Sequence, residues 1–261
     1  MNTASIEINC DMGEGYGRWR FAPDEEFMPY VSAANIACGF HAGDPRIMRR
    51  TVRAAIAQGL QIGAHVALPD LMGFGRRRMA VSAEELQDYT LYQIGALKAF
   101  VEAEGSSLSH VKPHGVMYVM SLEDAELAEA VIAAVAEIDS ALLLYSFDKR
   151  HAELAGRFGI RLVQEGFADL AYDDAGNLII EREKQAWDPA LVSSRAIRLV
   201  REGKVTAESG RDLDILPESI CLHGDAPNSV DVIRTVWQSL HNSGISVRPL
   251  TKTGNASVEP G

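Results

Sequence analysis

Cysteine is scarce in this chain, and its number is odd. Only Cys10, Cys38 and Cys221 occur, far apart in the sequence. Such a set does not make a disulfide framework and predicts reduced thiols in a cytosolic, cytoplasmic setting. No apolar run approaches the ~20 residues that a membrane-spanning helix needs. Met1 to Ile8 lacks a basic region followed by an apolar stretch, so no signal peptide is read there. Basic residues are in deficit, 25 Lys and Arg against 36 Asp and Glu, for a formal net charge of −11. An acidic surface repels phosphate backbones and anionic lipid heads, which argues against nucleic-acid and membrane partners. An anionic small substrate stays open, because a pocket can oppose the global sign.

Several chemical signatures are missing as well. There is no Gly-x-x-x-x-Gly-Lys-Ser/Thr phosphate loop, and no Gly-x-Gly-x-x-Gly follows a strand. Gly13-Glu14-Gly15-Tyr16-Gly17 is glycine-rich but lacks the lysine and the helix of a phosphate loop. Gly-x-Ser-x-Gly, Cys-x-x-Cys and His-Glu-x-x-His are also absent. What remains is general acid–base chemistry, or a metal held by Asp and His from separate strands. The sequence leaves metal binding undecided.

What is present is a repeated alternation of short β-branched runs with longer helical stretches. Candidate strands are Ser5–Cys10, Val31–Cys38, Leu60–His65, Leu108–Lys112, Ala141–Tyr145, Ile160–Glu165, Ser219–Leu222 and Ile245–Val247. Candidate helices are Pro45–Gln58, Ala83–Glu104, Glu123–Glu137, Lys149–Phe158, Pro189–Arg201 and Ser229–Asn242. Ser82 with Glu85 reads as a capping box, and Asp44 before Pro45 as an N-cap. Asp11 to Pro29 carries no clear helix and reads as a long rim loop. Strand–helix alternation implies a parallel sheet. The fold class is therefore α/β, a β/α barrel of seven or eight strands, irregular and TIM-like, with an open doubly wound sheet as the alternative. Residues 1–250 read as one domain, and 251–261 as a disordered polar tail.

Parallel barrels place their active sites at the C-terminal ends of the strands. Four of the seven histidines, His41, His65, His114 and His223, fall at such ends, together with Asp11 and Lys112. These six form the candidate catalytic set. A lysine closing an apolar strand would sit in the barrel mouth, where it is costly unless paired. Asn9, Glu14, Asn35, Arg76, Glu165 and Asp225 flank the same ends and form the candidate substrate-binding set. The cysteines beside these motifs read as small apolar packing. Asp11 and His223, near one another around the rim, are expected to pair and activate a water. Lys112 and His114 are expected to hold a substrate oxygen and a leaving nitrogen. Hydrolysis of an amide or lactam suits this set.

The clusters, in their order, resemble the LamB/YcsF family. The resemblance rests on Asn9-Cys10-Asp11-Met12-Gly13-Glu14-Gly15, Ser32 to Pro45, Ile62-Gly63-Ala64-His65, and Gly73-Phe74-Gly75-Arg76-Arg77. It continues in Val111-Lys112-Pro113-His114-Gly115, Glu165 with Phe167-Ala168-Asp169, and Ile220 to Asp225. It implies a barrel similar to polysaccharide deacetylases. It implies ATP-dependent opening of 5-oxoproline to glutamate with two further subunits, and a homo-oligomer remains open. The chain departs from the family pattern at Val66-Ala67-Leu68, where Pro-Gly-Tyr is expected, and at Leu170, where arginine is expected. A related lactam, cyclic ureide or amide is therefore an alternative substrate. The alternative role is that of a non-catalytic subunit that binds a partner.

Overall fold

The computed structural model describes residues 4–146, 148–179, 185–251 and 254–255. Seven parallel strands close a barrel: β1 (Ser5–Met12), β2 (Ala33–Ala37), β3 (Gln61–Val66), β4 (His110–Pro113), β5 (Leu143–Ser146), β6 (Arg161–Phe167) and β7 (Ser219–Leu222). Each pairs with the next, and β7 closes directly on β1, with Glu7 opposite Ser219 and Cys10 opposite Leu222. The eighth expected strand exists as Ser246–Val247, but it pairs only with the start of β1. A two-residue strand outside the ring does not separate β1 from β7, so the barrel has seven strands.

Side-chain alternation explains how this barrel is filled. On β1, Ile6, Ile8, Cys10 and Met12 belong to the main apolar cluster. The residues between them, Glu7, Asn9 and Asp11, are buried too. Their partners lie across the barrel: Tyr145 on β5 donates to Glu7, and Asn9 donates to Glu165 on β6. The polar set therefore fills the barrel interior, while the apolar set packs under the helices. This reverses the usual content of a parallel barrel, whose interior is dominated by branched apolar residues. The helix Pro45–Ala57 shows the outer packing, burying Ile47, Met48, Val52 and Ala55.

Local signals behave as their chemistry dictates. Asp44 accepts from the backbone N–H of Arg46 and Ile47, and Pro45 occupies the first helical position. Ser82 and Glu85 form the reciprocal capping box. Two helical readings are corrected. The expected helix Glu123–Glu137 forms as Ala125–Asp139, capped by Asp124, and a helix with no counterpart in the sequence reading, Gly115–Glu123, precedes it. The stretch read as a helix-free loop holds the short turns Asp24–Phe27 and Met28–Tyr30. Within the polar tail, Leu250–Thr251 pairs antiparallel with Gly254–Asn255, and 252–253 and 256–261 lie outside the described residues. Among the described residues no helix is long and apolar enough to cross a membrane.

Candidate active site

The site begins as a polar column inside the barrel. His110 on β4 donates through Nε2 to Asn35 Oδ1 at 2.7 Å. Asn35 in turn donates to Asn9 Oδ1 and to Asp11 Oδ1, both at 2.8 Å. Asn9 passes its own protons to Glu165 Oε1 at 3.0 Å and Ser219 Oγ at 2.8 Å. Room for the His110 ring comes from Gly63 on β3, where a Cβ would stand 2.0 Å from that ring. Burial pushes the His110 imidazole down to about 3, so this ring is neutral near pH 7.

At the top of the column stands Lys112. Its Nζ donates to Asn9 Oδ1 and Asp11 Oδ1 at 3.1 Å and to Cys221 Sγ at 3.0 Å, with Glu165 Oε1 at 3.3 Å. An ammonium has three protons, and protein acceptors use all of them. Burial works against the Lys112 charge, but Asp11, Cys221 and Glu165 hold its pKa well above the ordinary value. Burial likewise opposes the Asp11 charge, while His65 and Lys112 keep its carboxyl well below the usual carboxylate range. Tyr118 closes the network by donating to Glu165 Oε2 at 2.7 Å.

Above the column the rim histidines meet. His65 Nδ1 donates to the Lys112 carbonyl at 3.0 Å, which turns Nε2 toward Asp11 Oδ2 at 3.2 Å. His114 Nε2 donates to the Phe74 carbonyl at 2.8 Å, and its Nδ1 lies 3.0 Å from His65 Nε2. His41 stacks on His114 with centroids 3.9 Å apart and contacts Glu14 Oε1 through Nε2 at 3.1 Å. This crowding depends on Gly75, whose φ is +64° and whose Cβ would lie 2.8 Å from His114 and 2.9 Å from His41. Burial, with Asp11 and Asp225 nearby, raises the Glu14 carboxyl well above its ordinary value. Burial and neighbouring histidines lower the imidazoles of His41 and His114. Two groups of side chains are close enough to share a metal ion: Glu14, His41, His65 and His114, and separately Asp11, Cys221 and His223.

Opposite them, His223 directs Nδ1 at both Asp169 oxygens, 3.0 and 3.1 Å away. Asp169 also accepts from the His223 backbone N–H at 2.7 Å, so one carboxylate fixes both ring and backbone. Asp11, His65, Arg76, Lys112, His114 and His223 line one small cleft, open to solvent, with Tyr118, Phe167 and Leu170. His41 and Glu14 adjoin it through His114 and His65. Asn9, Asn35 and Glu165 are fully buried in the column beneath. Arg76 and Asp225, both expected to touch substrate, pair with each other at 2.8 Å. Of the neighbouring arginines, Arg77 pairs with Asp70 and Arg78 with Glu123.

The expected Asp11–His223 hydrogen bond is replaced. Asp169 takes the His223 imidazole, and Asp11 is committed to Lys112, Asn35 and His65. Sequence reasoning met Asp169 at the end of a strand without assigning it a role. It also passed over Tyr118, which sits on the unpredicted helix, and read Cys221 as apolar packing although its sulfur accepts from Lys112. The signal for Asp169 was its place two residues beyond β6, beside the His that follows β7.

Comparison with known proteins agrees with this architecture. A protein from Bacillus thuringiensis subsp. konkukian, named as the A subunit of 5-oxoprolinase, is 42% identical over 247 residues, covering 93% of this chain and 98% of its own. Its namesake from Geobacillus kaustophilus is 45% identical over 247 residues, covering 94% and 96%. The crystal structure of a lactam utilization protein from Thermus thermophilus superposes with a TM-score of 0.87 at 42% identity, covering 94% of this chain and 99% of that one. A putative cellobiose-phosphate cleavage protein from Enterococcus faecalis shares the fold, with a TM-score of 0.56 at 14% identity over 94% and 97% of the two chains. Residues 6–255 match the LamB/YcsF family along nearly the whole length, and the chain belongs to that family.

Proposed function

We propose that this chain opens the ring of 5-oxoproline to give glutamate, as one component of an ATP-hydrolysing 5-oxoprolinase with two further subunits. The observation that carries the reading is the His223–Asp169 dyad, which faces the same cleft as the charged Asp11–Lys112 pair. Full-length similarity to proteins named as 5-oxoprolinase subunits supports the choice of lactam.

Hydrolysis adds water to the amide carbon, breaks the C–N bond and protonates the nitrogen. With Nδ1–H given to Asp169, His223 presents its Nε2 lone pair, 3.9 Å from Cys221 Sγ, to take a proton from water. The same proton can return to the leaving nitrogen. Lys112 acts as a fixed positive charge beneath the reacting carbonyl, because its protons are already engaged. Arg76, steadied by Asp225, offers a guanidinium complementary to the substrate carboxylate. A five-membered lactam is a stable amide, and transfer of the γ-phosphoryl group of ATP to its oxygen, with ADP leaving, would make the carbon electrophilic. Water addition and C–N cleavage then leave a γ-glutamyl phosphate, which a second water hydrolyses to glutamate and phosphate. In this scheme the nucleotide is held by a partner subunit or by a site other than a phosphate loop.

The test is reconstitution. The chain alone should yield little glutamate from 5-oxoproline and ATP, and full turnover should require the partners. Full turnover by the single chain would refute the subunit role, and unchanged turnover without this chain would refute its catalytic role. A second reading, a lactam or cyclic ureide lacking a carboxylate, is favoured by Leu170. This leucine lines the cleft where the family pattern has arginine. Preference for 2-pyrrolidinone over 5-oxoproline would replace the first substrate with that one.

A further inference from the structure

In the histidine cluster two ring nitrogens are aimed at one another, with a carboxylate oxygen beside them. His65 gives its Nδ1–H to a backbone carbonyl, and His114 gives its Nε2–H to another. In the neutral rings the remaining nitrogens, His65 Nε2 and His114 Nδ1, both carry lone pairs. They face one another at 3.0 Å. A positive centre, a metal ion or a proton, joins two such lone pairs, and Asp11 Oδ2 lies 3.2 Å from the same His65 nitrogen. The third corner is a carboxylate oxygen, Glu14 Oε1, 3.8 Å from His65 Nε2 and 3.6 Å from His114 Nδ1.

We propose that Glu14, His65 and His114 are the ligands of a zinc-class divalent metal ion, with an open coordination position facing the cleft. The three edges of 3.0, 3.6 and 3.8 Å fit the chemistry. Bonds of about 2.0–2.1 Å in a tetrahedral arrangement place ligand atoms roughly 3.3–3.4 Å apart. Two imidazoles and one carboxylate are a donor set that suits zinc and leaves room for a further ligand. Backbone carbonyls holding the far ring nitrogens are the usual outer support of metal-bound histidines, since they fix tautomer and ring direction. His41 acts as a positioning residue. Its Nε2 reaches Glu14 Oε1 at 3.1 Å, and its buried Nδ1 has no partner among the described residues. Donating Nε2–H to Glu14 is its one hydrogen bond there, and it orients the carboxylate toward the two ligand nitrogens.

The three ligands and His41 are all buried, at 9% exposure or less. Water is therefore a poor substitute for a missing partner. Access remains, since His65 and His114 line the cleft beside Asp11 and His223. An ion there would polarise an amide oxygen or activate a bound water. The inference goes beyond the lactam reading and stands on ligand geometry, whichever amide the cleft accepts.

The test measures metal content and affinity, not turnover. The chain is stripped with chelator, titrated with Zn²⁺ by calorimetry, and loaded with Co²⁺ for its visible absorption spectrum. One ion per chain is expected, with the intense d–d bands of a four- or five-coordinate cobalt site. Glu14→Gln and His114→Gln should each weaken binding at least 100-fold, and His41→Gln about 10–100-fold, as for other outer supports of metal ligands. His223→Gln should leave affinity unchanged, because His223 belongs to the second cluster with Asp11 and Cys221. Circular dichroism establishes that each variant folds. Wild-type chain that takes up no stoichiometric metal would overturn the proposal and assign the gap to a proton on His65 Nε2 shared with Asp11. Binding that survives Glu14→Gln but is lost in His223→Gln would overturn it in favour of the second cluster. Because the readout is metal bound, neither result depends on which substrate the chain turns over.

Discussion

The polar column inside the barrel and the histidine rim above it use similar residues but meet their hydrogen-bonding needs differently. In the column every donor points to an acceptor: His110 to Asn35, Asn35 to Asn9 and Asp11, Asn9 to Glu165 and Ser219. At the rim, His65 Nε2 and His114 Nδ1 face each other at 3.0 Å while the other nitrogen of each ring is held by a backbone carbonyl, and His41 Nδ1 lacks a partner among the described residues. A closed network in a low-dielectric interior rigidifies what it holds. An open one a few ångströms away is where a further group can be bound. The column therefore serves as a charged scaffold that fixes Asp11 and Lys112, and the rim as the reacting surface.

If that division is right, column changes should move stability and rim changes should move turnover. The largest effect is expected from acid acting on His110. Its folded-state value of about 3 lies below the ordinary 6.5, so the unfolded chain binds the proton more readily. The stability that neutral His110 contributes is present above about pH 6.5 and lost as pH falls toward 3, on the order of 5 kcal/mol in full. Urea denaturation of wild type and His110→Gln across that range should show a shallower loss in the variant. Equal slopes would mean that His110 does not carry the burden.

Next comes Lys112→Met. Removing one partner of a buried ion pair leaves the other unpaired, at a cost of about 3–5 kcal/mol. The midpoint of chemical denaturation should fall accordingly. Because Asp11 shares this pair, Asp11→Asn should also lower stability. A variant as stable as wild type would remove the scaffold half of the contrast.

The rim predictions follow. In the reconstituted enzyme, His223→Ala and Asp169→Asn should each lower turnover on the order of 100-fold, the typical worth of general acid–base catalysis. Their stabilities should change by about 1 kcal/mol or less, since His223 is partly exposed and its loss leaves Asp169 bonded to the backbone. Normal turnover with a lowered melting temperature would return the dyad to a structural role. The smallest effect belongs to a control outside both regions. Ser82→Ala breaks the capping box of Ala83–Ala103 and should cost about 1 kcal/mol with turnover intact.

Much of this contrast was legible before the fold was known. All eight β-branched runs became strands, because alternation, length and flanking glycine are local properties. The clustering of Asp11, Lys112 and three of the four rim histidines on one cleft followed from placing strand ends on one face of a barrel. His41 joined them by stacking on His114. Gly115–Glu123 escaped notice because its run Val116-Met117-Tyr118-Val119-Met120 is apolar on every side and shows no helical period. Cys221 and Tyr118 were missed for a related reason. Their residue types read as packing, and only their neighbours make them polar partners.

The sequence by itself determined the strand–helix alternation, the caps at Asp44 and Ser82, and the set of ionisable side chains delivered to the rim. Those outcomes depend on neighbours within a few residues. Only the tertiary structure decided that seven strands close the ring, that His223 pairs with Asp169 instead of Asp11, and that the lysine faces four acceptors at once. Asp169 and His223 are 54 residues apart and Asp11 and Lys112 are 101 apart, so their pairing follows from strand register and inward alternation. Those are long-range quantities. A shift of one residue in either would turn the same side chains to the opposite face of the barrel wall.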